Sequence, residues 1–318
     1  MNAKTTFPAA CALALAVFSA RALEPLAAPG EAAAPLRAPP PRHPPVPARF
    51  DRPASERFAP RRAPAFSPAR GAAARPVVLA LWPGLQTGSV EDDATLLRFG
   101  LFGSRNRNVS LLDFNLFYGR ASGAESALQF GAVNAADGPL AGAQLGLVNV
   151  SGVLEGSDSA GFQIGLLVNY SDSFAGVQAG LALNRASRAA GAQLAAVCNF
   201  SDRFRGVQVA AVNLDGDDVR GVQLGVANGG AKDFAGIQLG LLNGCPGRFS
   251  GIQLGAANSA RTLDGGLQLG LVNLAGEARG WQVGLYNSAK SLRGVQIGLA
   301  NADAASDAPF LPLLRVAF

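Results

Sequence analysis

A single histidine, His43, serves the whole chain of 318 residues. Histidine is the side chain best poised for proton transfer near neutral pH and the commonest metal ligand, so chemistry built on it is excluded. No phosphate-cradling loop or paired-cysteine motif takes its place. The sequence reads as a non-enzyme with no cofactor and no metal. Asp215, Asp217 and Asp218 carry oxygen ligands of the kind calcium takes, but they read as a solvated acidic turn. Cysteine is scarce. Cys11 lies near the N-terminus, and Cys198 and Cys245 show no metal-ligand spacing, so they read as two small unpaired residues. Charged residues make up only 15%, with 3 Tyr and 2 Trp. Beyond the N-terminus no apolar run reaches the eighteen residues of a membrane-spanning helix. The 39 glycines work against helices in general.

Two segments precede the main body. Residues 1–22 read as a secretory signal peptide: Lys4, an apolar stretch from Ala9 to Phe18, then the small-x-small pattern Ala20-Arg21-Ala22. Residues 23–75 form a Pro/Ala/Arg-rich linker. Nine arginines from Arg37 to Arg75 face four acids there, and such composition is expected to stay disordered. It reads as a spacer, with an anionic envelope component as its possible partner. Beyond Arg75, 16 basic residues meet 18 acids, so the rest is near neutral and no nucleic-acid partner is expected.

What is present in abundance is a repeat. Gln129, Gln144, Gln163, Gln178, Gln193, Gln208, Gln223, Gln238, Gln253, Gln268, Gln282 and Gln296 each sit in a copy of G-φ-Q-φ-G-φ-φ-N, where φ is apolar. Most steps are 15 residues. Repetition at a fixed short period means one small unit built many times. In Phe234–Asn243 the apolar residues Ile237, Leu239 and Leu241 alternate with Gly236, Gln238 and Gly240, which is a strand pattern with one apolar face. No charge enters the positions beside the glutamines, so an unbroken apolar belt results.

Two all-β architectures fit residues 76–318. In an antiparallel up-and-down β-barrel each unit is one strand, the apolar belt meets lipid, and the glutamines are candidate lumen-lining residues. In a parallel β-solenoid each unit is one coil, with the apolar belt sealed inside and glutamines laddered outside. The turns discriminate. Those ending in Phe174, Phe204, Phe234, Leu263 and Leu292 are compact and interleave with a more varied series, as a two-unit period requires. Adding strands at Val77–Trp82, Thr95–Gly103, Val109–Gly119 and Phe310–Phe318 gives about 16, an even number. The barrel is therefore the leading expectation and the solenoid the alternative. Pro312 departs from an ordinary central strand and suits an edge or seam.

The tandem G-x-Q-x-G-x-x-N units, from Leu128 to Asn301, resemble those of a family of bacterial surface-repeat proteins. The resemblance implies an outer-membrane or cell-surface location and no particular chemistry. The terminal Phe318 on an alternating last strand resembles the signal that outer-membrane barrels present to the barrel-assembly machinery. The functional expectation is a porin-like barrel in the outer membrane of a Gram-negative-type bacterium, structural or weakly selective for small polar solutes, with outer-membrane lipid as partner. The alternative is a secreted or surface-exposed solenoid acting in adhesion or surface display.

Overall fold

The structure, a computed structural model, describes residues 72–154 and 156–318. The signal-peptide reading and the linker reading up to residue 71 lie outside the described residues. The described residues are all-β, with no helix among them.

Their strands stack as the coils of a β-solenoid. Neighbouring units pair in parallel and in register: Gln144 with Gln163, Gln178 with Gln193, Gln208 with Gln223, Gln238 with Gln253. The chain thus returns to the same place one rung higher after each unit, the geometry of a repeat whose coils touch only their neighbours. Among the described residues only two pairings are antiparallel, Ala74–Trp82 with Leu85–Gln86 and Gly294–Asp303 with Phe310–Ala317. The antiparallel barrel is therefore overturned, and the alternative architecture is the one present.

The alternative needs a correction of its own. Its apolar belt was to be sealed inside with the glutamines outside. The reverse holds: the twelve glutamines are buried, and the apolar residues that flank them on the strand, such as Phe162, Ile164, Ile252 and Leu254, face out. The strand alternation was right; the solenoid alternative assigned its faces the wrong way round, whereas the barrel reading had set the glutamines inward and the apolar belt outward.

Each coil carries a glutamine segment and an asparagine segment, in some coils as two short strands joined by a tight corner and in others within one continuous strand, as over Leu242–Leu292. In one coil Asp218–Leu224 carries Gln223 inward, Gly225 and Val226 make the corner, and Ala227–Gly229 carries Asn228 inward. Four inward positions recur: Gln, Asn, a small residue two places after Asn, and a residue of variable size four or five places before the next Gln. That last column runs Phe174, Ala189, Phe204, Val219, Phe234, Phe249, Leu263, Ala278 and Leu292, all buried. Its residues and those of the small column form the apolar part of the core. This column explains the misleading turns: their alternation is of large and small side chains stacked in one interior file, where Phe234 and Phe249 lie 5.3 Å apart, centroid to centroid. The long step between Gln144 and Gln163 is absorbed by a loop after Ser151, and the register resumes beyond it.

The glycine two places before Gln lies where one coil's backbone crosses the next. Gly236 has φ +144°, and a Cβ there would lie 1.9 Å from the Gly221 carbonyl oxygen. Only glycine adopts that conformation without strain. Gly236→Ala is accordingly expected to lower stability by about 3 kcal/mol, read as a shift of the urea midpoint. A change below about 0.5 kcal/mol would contradict the stacking described here.

Candidate functional site

Sequence placed the chemistry in the glutamines, and the structure puts all twelve in one file along the rod axis. They are at most 1% exposed. From Gln144 onward each Nε2 donates to the Oε1 of the glutamine one coil earlier: Gln144 to Gln129 at 2.8 Å, Gln223 to Gln208 at 3.0 Å, Gln296 to Gln282 at 2.7 Å. The second Nε2 hydrogen goes to a backbone carbonyl in several coils, as from Gln253 to Ser259 at 3.2 Å. The glutamines bond one another in the core of the rod and do not wall a passage, so the lumen-lining role expected of them goes with the barrel.

A second file was missed. The asparagine that closes each unit carries no role in the sequence reading, and it too is buried: Asn134, Asn149, Asn169 and onward to Asn301. Each Nδ2 donates to the Oδ1 of the asparagine one coil later, as from Asn184 to Asn199 at 2.9 Å and from Asn228 to Asn243 at 2.9 Å. The other Nδ2 hydrogen reaches the carbonyl of the residue after the next glutamine, Leu194 and Leu239 in these two cases. The sequence signal was present, since an asparagine closes every copy of the repeat.

The two ladders run in opposite directions. Glutamine amides donate towards the N-terminus and asparagine amides towards the C-terminus, so their aligned dipoles oppose one another. The glutamine file starts at a carboxylate. Gln129 donates to Asp113 Oδ2 at 2.8 Å, and Asp113 also accepts from the Arg98 guanidinium at 2.5 and 2.7 Å. Arg98 and Asp113 are fully buried and occupy the register positions that glutamine holds in later coils. At the other end Gln296 Oε1 has no donor, and its register partner across the antiparallel strand is Arg315.

Two interior acids have unusual surroundings. Glu125 is fully buried with neither carboxyl oxygen hydrogen-bonded. Burial pushes its pKa well up, the Asp113 charge adds to this, and Arg98 opposes it. Asp215, read from sequence as solvated, is also inside. It accepts from Gln208 at 3.1 Å and Gln223 at 2.6 Å. Burial raises its pKa to about 7 against the opposing hydrogen bonds. Asp217 and Asp218 lie outside, so the three do not converge. No cluster of three potential metal ligands occurs among the described residues. Cys198 and Cys245 are both buried and form no disulfide.

The outer surface is divided lengthwise. Beyond the corner glycine stands a file of exposed apolar side chains that includes Leu147, Leu181, Leu241, Leu271, Leu285 and Leu299, the last 66% exposed. Apolar residues flank it on both sides of the corner: Phe162, Ile252 and Trp281 on the glutamine strand, Leu167 and Val197 on the asparagine side. The charges sit on the opposite edge, where some pair along the stack, Lys232 with Asp217 at 2.6 Å and Arg248 with Asp264 at 3.5 Å. Comparison with family models, with curated proteins and with solved structures returns no match for this chain.

Two outcomes follow from the ladders. Gln223→Leu removes the donor to Gln208 and the acceptor of Gln238, leaving buried amide groups without partners. It should cost about 2–4 kcal/mol, whereas Leu241→Ala on the outer file should stay within about 0.5 kcal/mol; chemical denaturation of both variants reads the contrast, and equal effects would refute a polar core. For Asp215 the folded pKa of about 7 exceeds the ordinary value of about 4. The folded state therefore holds the proton more tightly, and this group's contribution to stability is lost as pH rises from about 4 to about 7. Asp215→Asn should flatten that part of the stability–pH curve, measured by urea unfolding at pH 4.5 and 7.5.

Proposed function

We propose that the chain is a surface-exposed β-solenoid: a rod for adhesion or surface display that acts by contact and performs no catalysis. One observation carries the reading. The amide groups of the repeat are consumed inside, in ladders that join coil to coil, while the outside repeats the same apolar and charged columns along the stack. Such a body is built to present an extended, periodic surface. The porin-like reading lacks this support, because the groups that would have lined a passage are hydrogen-bonded to one another.

Export through residues 1–22 and an anionic contact for the Arg-rich segment 23–75 belong to the same proposal. Its support is the sequence pattern together with the likeness of the repeat to bacterial surface-repeat proteins. The test uses Lys232 and Lys290 on the charged edge. A membrane-impermeant amine reagent applied to intact producing cells should modify them, as read by peptide mass spectrometry. Modification only after the envelope is broken would refute surface exposure.

A further inference from the structure

The apolar edge is too long and too continuous to be incidental. From the coil of Arg98 to the coil of Gln296 its positions carry apolar side chains, interrupted by little beyond the Tyr286 hydroxyl. Fourteen rungs at about 4.8 Å give a length of roughly 65 Å. With the corner file and its two flanks, the face is on the order of 1,000 Å², well above the few hundred usual for a contiguous apolar patch on a soluble monomer. Near the C-terminal end it deepens into a shallow groove of about 720 Å³, with Leu254, Leu269 and Ile297 along one side and Leu271, Leu285 and Leu299 along the other.

The form of this face selects its occupant. The apolar files wrap a corner: Phe162, Ile252 and Trp281 look out from one strand, Leu241 and Leu285 from the bend, and Leu167 and Val197 from beyond it. A rigid second rod laid against such an edge covers one flank and leaves the other wet. A fluid apolar phase covers both. The charge distribution agrees, since exposed ion pairs such as Lys232–Asp217, Arg248–Asp264 and Arg279–Glu277 lie on the far edge, where they stay in water if the corner is immersed. An apolar strip opposite a charged one is the arrangement of elements that lie in a membrane interface, sunk about 5–10 Å.

We infer that the solenoid lies lengthwise on a lipid leaflet, its corner file and flanking columns inserted among the acyl chains. The inference deepens the surface-rod reading by naming what the rod contacts. It does not depend on the outcome of whole-cell labelling, because it concerns the purified protein and pure lipid.

The test is flotation of the full chain with phosphatidylcholine vesicles. The wild type should float with them. In a Trp82→Phe background the emission of Trp281, 53% exposed in the flank, should shift to shorter wavelength on vesicle addition. The triple variant Leu241→Glu, Leu271→Glu, Leu285→Glu places charge on exposed positions and should bind at least tenfold more weakly with an unchanged circular dichroism spectrum. Lys232→Glu with Lys290→Glu on the far edge should bind as the wild type does. The wild-type measurements stand by themselves if the triple variant does not fold. Failure of the wild type to float overturns the inference. Binding only to vesicles containing anionic lipid, abolished by 0.5 M salt, also overturns it by assigning the contact to the arginine-rich segment. So does a stable dimer that shields Trp281 from iodide and ignores vesicles, which would make the occupant a second copy.

Discussion

The fold depends on an amide side chain bonding its own counterpart one coil away. A buried amide without a partner is costly, since the desolvation of each orphaned donor or acceptor amounts to about 1–3 kcal/mol. Two identical amides at the spacing of adjacent strands satisfy each other, and the satisfied unit can be repeated at the strand spacing of about 4.8 Å. Gln238 receives from Gln253 and gives to Gln223, both at 2.8 Å. Once this is so, the strand face carrying glutamine and asparagine can turn inward without penalty, and the apolar face must turn outward. The polar core and the greasy exterior have one cause.

Repetition that stabilises a ladder also makes its register ambiguous. Sliding one part of the stack by a whole coil would re-form most glutamine pairs. A slip of a single residue is excluded, because it exchanges inner and outer faces. The ends supply what the middle lacks. Asp113 offers acceptors only, so the file cannot continue past it as a ladder, and its charge is matched by Arg98 within the same column. At the far end the strand Phe310–Ala317 runs antiparallel and sets Arg315 beside Gln296, closing the last parallel edge. An unpaired parallel edge would be a template for further strands. Pro312 sits in this final strand, where a missing N–H is tolerated.

Much of the local structure could be read in the sequence. The strands expected at Val77–Trp82, Thr95–Gly103, Val109–Gly119 and Phe310–Phe318 correspond to Ala74–Trp82, Asp93–Gly100, Val109–Asn115 and Phe310–Ala317. Direction and sidedness were not legible by the usual rules. Period-two alternation marks two faces but does not say which is inside, and the general preference for apolar interiors pointed the wrong way. The repeat did hold a clue. Gln and Asn recur unchanged while the residue before Gln varies among Leu, Ala, Phe, Val, Ile and Trp. A position that packs against its own copies tolerates one shape, whereas a position that faces out tolerates many. The parity of the turns misled because Phe204 and Phe234 alternate with Ala189 and Val219 for reasons of volume in a shared interior file.

The same logic bears on why the charges keep to one edge. In a parallel stack any residue lies beside its counterparts in the coils above and below, so a column of like charges would repel along its whole length. The structure offsets this in part by mixing signs: Lys232 stands beside Asp217, and Arg188 beside Asp172 at 3.4 Å, although Arg188 is also in register with Arg203, Arg205 with Arg220, and Asp218 with Asp233. The turn that hosts them lies between the asparagine of one coil and the glutamine of the next, where sequence varies most from unit to unit. The tight corner leaves less freedom, holding Gly in most coils and Ala195, Ala210 or Asn115 in the others. A Cβ on Gly255 would lie 2.2 Å from the Gly240 carbonyl oxygen, and one on Gly270 2.1 Å from that of Gly255, so the backbone there is fixed by the coil beneath. Variation and charge are thereby confined to one edge, and the opposite edge is left to build up its apolar columns coil after coil.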